Sequence, residues 1–359
     1  MTKKSFLKFV RIAVTTALLV FVIHKADLLT AQGWQNLLDT FSQANLWLVL
    51  LSVLLVPLVD FVSSVKWYFL ARACGLKVGL WRLYAYYVVG RFFNLILPSS
   101  IGGDVIRVNE LGRYTGRYAD SAAVVFVERF TGLAMLVFLA TMAVIVNLQK
   151  FNLPWLTAAL VIGLVGIAFI CWIILDERPY NFVKKHLGDR IKLISVVLNK
   201  LGKFRKAVLI YQAKPGALWL AVFNSLVFYA LAICNVWVSV LAFDGEVSFW
   251  NMIVAVPIIM FIMNIPFSIG GLGITEYAYS FVLGLFGINT AVALATILLM
   301  RLKTLLAAGI GGLIYPLVSD SMASPEELTQ AATQSYPEPR PEAYSSEPYS
   351  EKTNPSPEP

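Results

Sequence analysis

The chain is poor in the residues that soluble enzymes gather at reaction centres. It has two histidines and three cysteines in 359 residues, and Asp, Glu, Lys and Arg make up only 14%. His24 and His186 stand in connecting stretches away from any motif. Cys74, Cys171 and Cys234 lie in or beside apolar runs, at spacings that suit neither a disulfide framework nor a metal cluster. HExxH, GxSxG and P-loop patterns are missing. Gly270-Gly271-Leu272-Gly273 is glycine-rich but follows no strand pattern, which excludes a dinucleotide fingerprint. No metal or cofactor is expected, and the chain is not expected to be an enzyme.

The scarcity of charge also excludes an ordinary soluble domain. Hydrophobic residues reach 58% and mean hydropathy is +0.72. They cluster into apolar runs at 12–23, 46–65, 80–97, 119–148, 153–175, 217–243, 249–265, 275–286 and 290–318. About 20 apolar residues cross the hydrocarbon core, so these read as about eight spans. The runs 80–97 and 275–286 look short for full crossings. The expected fold class is an all-α, polytopic membrane helical bundle over residues 1–319.

The net charge of +8 is unevenly placed. From Asp320 onward there are eight acidic and two basic residues, so the preceding part carries +14. This excess sits in loops, as the positive-inside rule expects of cytoplasmic connections. It is not gathered on one face with interleaved aromatics, so no nucleic-acid partner is expected. The segment 320–359 holds half of the prolines and almost no aliphatic residues, and reads as a disordered tail. Lys3, Lys4, Lys8 and Arg11 precede the first run, with no small-residue cleavage site after it. That reads as an uncleaved anchor with a cytoplasmic N-terminus.

The segment 25–45, with Trp34, Leu37, Leu38 and Phe41, suggests a short helix lying on the membrane. In the loop 176–214, Ile191, Ile194, Leu198, Leu201, Phe204 and Val208 recur at helical spacing against a lysine-bearing face. That is a basic amphipathic helix at the inner leaflet. A full crossing by 80–97 would put Arg107, Arg113 and Arg117 on the wrong side. A hairpin that enters and leaves on the cytoplasmic side removes the conflict.

The most informative pattern is a repeated hexamer. Pro98-Ser99-Ser100-Ile101-Gly102-Gly103 matches Pro266-Phe267-Ser268-Ile269-Gly270-Gly271 at five of six positions. Asn94 precedes the first copy and Asn264 the second; Arg129 and Arg301 follow at similar distances. The charge-based topology gives the copies opposite orientations, so two inverted re-entrant hairpins are expected, with the C-terminus also cytoplasmic. Proline ends a helix and glycine permits a sharp turn. New helices are expected near Asp104 and near Thr275, with free N–H groups that favour an anion. Arg129 and Arg301 add full charge and bidentate geometry suited to phosphate.

Arg91, Asp104, Arg107, Glu128, Arg129, Glu276, Arg301 and Lys303 cluster around the two motifs. Charge in lipid costs roughly 2.5–3.5 kcal/mol per residue on insertion scales, so the set implies a polar cavity. Internal pairing is the alternative, Glu128 with Arg301 for instance. Lys66 is expected to snorkel to the interface.

These motifs resemble the lysylphosphatidylglycerol synthase transmembrane (flippase-like) family. The residues that carry the likeness are Asn94-Leu-Ile-Leu-Pro98-Ser99-Ser100-Ile101-Gly102-Gly103-Asp104-Val-Ile-Arg107 with Glu128-Arg129. The second set is Pro266-Phe-Ser268-Ile-Gly270-Gly271-Leu-Gly273-Ile-Thr-Glu276 with Arg301. The resemblance spans most of 5–318 and implies translocation of a lipid headgroup between leaflets. Bifunctional members carry a soluble aminoacyl-transferase domain after the membrane part; here a 40-residue tail follows. Lysyl transfer is therefore not expected.

The expected function is a lipid flippase or transporter for an anionic phospholipid or polyprenyl-phosphate-linked lipid, in the cell (inner) membrane. Its headgroup site would comprise Asn94, Pro98, Ser99, Ser100, Gly102, Gly103, Asp104, Arg107, Glu128, Arg129, Pro266, Ser268, Gly270, Gly271, Gly273, Glu276 and Arg301. Asp104, Glu128 and Glu276 would neutralise the arginines when the site is empty, or carry protons. The alternatives are an intramembrane enzyme acting on a lipid phosphate and a non-catalytic scaffold. Homo-oligomerisation is left open.

Overall fold

A computed structural model describes residues 30–96, 102–151, 153–176, 178, 202, 204–265 and 272–319. The first apolar run, most of the amphipathic loop helix, the tail, and Pro98, Ser99, Ser100, Pro266, Ser268, Gly270 and Gly271 lie outside the described residues. Within them the secondary structure is helical and contains no strand. Apolar segments in lipid must satisfy their backbone internally, and a helix does so within one segment.

The helices are α1 (Ala31–Ser42), α2 (Leu46–Ala73), α3 (Leu80–Ile96), α4 (Gly102–Thr115), α5 (Tyr118–Val146) and α6 (Pro154–Leu175). They continue as α7 (Pro215–Leu241), α8 (Phe249–Met263), α9 (Ile274–Leu285) and α10 (Thr290–Ser319). Five are long and apolar enough to cross a membrane: α2, α5, α6, α7 and α10. At about 1.5 Å per residue, α3 and α8 reach only about 25 and 22 Å, short of a core of about 30 Å. The chain is a multi-pass, all-α membrane protein.

The duplication extends well beyond the hexamer. α2–α5 contain 28, 17, 14 and 29 residues; α7–α10 contain 27, 15, 12 and 30. Starts of corresponding helices lie 169 residues apart in the first two pairs (Leu46 and Pro215, Leu80 and Phe249). They lie 172 apart in the last two (Gly102 and Ile274, Tyr118 and Thr290).

Contacts obey the same correspondence. α2 packs on its own counterpart α7; α3 packs on α10, and reciprocally α8 packs on α5. The polar links along α2 and α7 run in opposite chain directions. Asn45 N–H donates to Ala242 O at 2.8 Å, Asn235 Nδ2 to Ser52 O at 2.8 Å, Lys66 Nζ to Ser225 Oγ at 3.2 Å and Lys214 Nζ to Ala73 O at 2.7 Å. The repeats are therefore inverted with respect to each other. α6 joins them; among the long helices it has the smallest share buried in the protein, as suits a lipid-facing connector.

Each short pair follows from its residues. α3 and α4 form an antiparallel hairpin: Asn94 lies by Gly103, Gly90 by Gly103 and Arg107, and Arg82 over the Tyr114 ring at 4.0 Å. α8 and α9 pack together in the other repeat. The segment expected to lie on the membrane contains α1. It buries Leu37 in the core and sets Phe41 edge-on to Phe243, while Trp34 and Leu38 stay exposed.

Cys74, just past α2, is buried, and its Sγ stands 4.0 Å from Asp120 Oδ1. Burial, then the neighbouring carboxylate, pushes its thiol up to about 11. Cys74 should therefore resist maleimide at pH 8 in the folded protein and react once the protein is unfolded. Mass spectrometry of the labelled peptide checks this, and rapid native labelling would contradict it.

Candidate functional site

The polar side chains meet half-way along the long helices. Arg129 is the twelfth residue of α5 and Arg301 the twelfth residue of α10. At about 1.5 Å per residue this is about 17 Å from either helix start. Each arginine is paired. Arg129 donates to Asp104 Oδ1 through Nε at 3.0 Å and Nη2 at 2.7 Å. Arg301 donates through Nε to Glu276 Oε1 at 2.7 Å. Both pairs join residues 25 apart in sequence, and both members sit 172 residues from their counterparts. The repeat therefore preserves an ion pair between its third and fourth helices as well as a motif.

Repeat one adds a deeper layer. Arg107 is 1% exposed and donates to Asp104 Oδ1 at 3.1 Å and to Glu128 Oε2 at 2.9 Å. Its guanidinium lies between the rings of Trp67 (4.3 Å) and Tyr87 (4.6 Å). Stacking and bidentate donation are what a planar guanidinium does better than an ammonium.

Two expectations are corrected here. Glu128 pairs with Arg107 and with Lys66 at 3.6 Å, not with Arg301. Lys66 does not snorkel: it is 6% exposed and bound to Glu128 and Ser225. The spacing of α2 turns Lys66 toward α5 and α7, and a carboxylate waiting there outweighs the reach to the interface.

The helix starts are also less free than expected. Gly103 N–H at the start of α4 donates to Asn94 Oδ1 at 2.7 Å. Gly273, at φ +80° before α9, donates its N–H to Glu276 Oε2 at 2.7 Å. Protein oxygens thus cap part of each N-terminus, and the side-chain cations carry most of the attraction for an anion.

Arg91 and Lys303, named in the charged cluster but left out of the expected headgroup site, have partners that the sequence did not show. Arg91 on α3 pairs with Asp60 on α2. Lys303 on α10 donates to Asn235 Oδ1 at 2.7 Å and Ser239 Oγ at 2.8 Å on α7. Asn235 and Ser239 carried no signal of their own in an apolar run. Alignment of the whole repeats, with Asn235 lying 169 residues after Lys66, would have singled them out.

The charged groups around the two ion pairs are Lys66, Arg91, Arg107, Arg129, Arg301 and Lys303 against Asp60, Asp104, Glu128 and Glu276. That leaves an excess of two positive charges. The Arg129 side chain is 47% exposed and that of Arg301 33%, so both remain reachable beside their carboxylates. Among the described residues no cluster of His, Cys, Asp and Glu suits a metal ion.

No solved structure matches the chain. A UPF0104 membrane protein of Methanothermobacter thermautotrophicus is 24% identical, over 79% of this chain and 89% of that protein. The family model for the lysylphosphatidylglycerol synthase TM region matches residues 8–312, which take in both repeats up to the last turns of α10 and every charged group of the site. On that match the chain belongs to the lysylphosphatidylglycerol synthase transmembrane family.

Proposed function

We propose that the protein moves an anionic amphiphile, a phospholipid or a polyprenyl-phosphate-linked lipid, between leaflets of the cell membrane. The observation that carries this is the pair of ion pairs, Asp104–Arg129 and Glu276–Arg301, set mid-helix in inverted repeats with a surplus of positive charge around them. Inverted repeats with a site between them are a recurrent transporter design. On this reading α3–α4 and α8–α9 are re-entrant hairpins of opposite orientation. The cytoplasmic side carries the basic loops and both termini. An arriving phosphate competes with Asp104 and Glu276 for the arginines, which lets the headgroup hand over from one repeat to the other. Family membership supports a lipid-related role.

No bond is made or broken in this cycle. An intramembrane enzyme would need a carboxylate available as base or nucleophile, and Asp104 and Glu276 are both held by arginines.

Reconstituted in liposomes, the intact protein should speed loss of outer-leaflet headgroup accessibility for a labelled anionic lipid. Arg129→Ala/Arg301→Ala should slow this at least about tenfold, since charge-assisted bonds on both sides are lost. Equal rates for the two proteins would overturn the proposal.

A further inference from the structure

Lys303 is 3% exposed, and among the described residues it has no carboxylate partner. Its two acceptors are fixed in orientation. Asn235 Nδ2 donates to Ser52 O, which turns Oδ1 toward the lysine; the Ser239 hydroxyl donates to Asn235 O, which leaves its lone pairs for the lysine. Both groups thus accept from the Lys303 side chain, and an ammonium there has a third N–H left to donate. The side chain borders a cavity of about 190 Å³ at the repeat interface. Arg91 lines the same cavity, with its Nη2 on Asp60 and its buried Nε without a hydrogen-bond partner.

The two repeats differ at this point. In repeat one the corresponding helices are linked by Lys66 and Glu128. At the register of 172, the residue of repeat two that stands for Glu128 is Met300, which is in the cavity wall. Repeat two therefore has Asn235 and Met300 where repeat one has Lys66 and Glu128, and its own buried lysine stands at the position of Thr131, with no carboxylate beside it among the described residues. The remaining wall is largely apolar, with Val56, Val59, Phe228, Ala232, Met260 and Met263. A buried charge without a partner is costly, and an anion in the cavity would supply the counter-charge that favours the ammonium form of Lys303.

We infer that this cavity binds the phosphate ester group of an amphiphile, with Lys303 as its counter-charge, Arg91 Nε as a second donor, and the apolar wall against the first carbons of the tail. A tetrahedral oxyanion can offer separate oxygens to the two donors, and methionines adapt to an irregular chain. The inference deepens the translocation reading by giving the phosphate a resting place at the repeat interface, and rests on that reading for the source of the ligand.

The test measures binding in detergent by thermal shift of the full chain. Phosphatidylglycerol should raise the melting temperature, diacylglycerol with the same acyl chains should not, and inorganic phosphate should bind at least about tenfold more weakly than the lipid. Lys303→Met should weaken phosphatidylglycerol binding at least about tenfold, and Lys303→Arg should restore part of it. Ala232→Leu fills the cavity while leaving the Lys303 bonds in place, so it should weaken binding too, and it decides alone if Lys303→Met fails to fold. A purely structural lysine would lower the ligand-free melting temperature and leave affinity unchanged. Unchanged affinity in the folded variants overturns the site, whatever the liposome rates. Inorganic phosphate binding as tightly as the lipid overturns the amphiphile. Lost translocation with intact Lys303-dependent binding would instead sink the translocation reading alone.

Discussion

Arg107→Met will destabilise the folded protein by about 3–5 kcal/mol, the range for removing one partner of a buried ion pair. The variant leaves Glu128, 3% exposed, with Lys66 at 3.6 Å as its remaining charged partner, and empties the slot between the Trp67 and Tyr87 rings. It also removes one of the two guanidiniums on Asp104. Arg107→Lys keeps the charge but not the planar stacking or the two-carboxylate reach, and should fall between. The double variant Arg107→Met/Glu128→Gln should lose less than the two single losses added, because the bond between the two side chains is removed only once. Reversible unfolding in mixed micelles measures these three and Glu128→Gln alone. A double variant that loses as much as the two single losses added would mean the pair is not coupled.

The second large effect concerns the hairpin of repeat one. A Cβ on Gly103 would stand 2.1 Å from Gly90 O and 2.7 Å from Asn94 Cγ. The first obstacle is backbone, so relief requires α3 and α4 to separate. Separation pulls Asn94 Oδ1 from the Gly103 N–H it caps. Gly103→Ala should therefore cost about 3 kcal/mol, the upper end of typical overpacking, and abolish lipid translocation. Gly309→Ala is the matched control: nothing lies within 4 Å of its Cβ, and the site is inside α10. Helix propensity predicts that this change is neutral or stabilising by up to about 1 kcal/mol. Equal stability of the two variants in the unfolding assay would refute the close approach of α3 and α4.

Much of the bundle is legible in the chain because lipid leaves few options. A run such as 119–148 must be helical, and its helix is observed as Tyr118–Val146. The hexamer pointed to a duplication, and the surplus of arginines near it pointed to a polar interior. The partners were not legible. Glu128 precedes Arg129 in sequence, and adjacent residues on a helix face different neighbours: Glu128 turns to Arg107 and Lys66, while Arg129 turns to Asp104. Local spacing cannot choose among carboxylates that are contributed by different helices. Lys66 illustrates the same limit, since its nearness to the span's end favoured the interface and only packing brought Glu128 and Ser225 to it.

By itself the sequence determined that the chain is helical, membrane-spanning, internally duplicated and cationic around its two motifs. These are properties of hydropathy, backbone hydrogen bonding and residue type, which act along the chain. The tertiary structure alone decided the rest: that four helices, not one hairpin, form the repeat; that α2 and α7 run antiparallel; and that one buried lysine has a carboxylate while the other faces a cavity. The physical reason is that an ion pair or a void belongs to several helices at once, and its energy depends on distances that no single segment encodes.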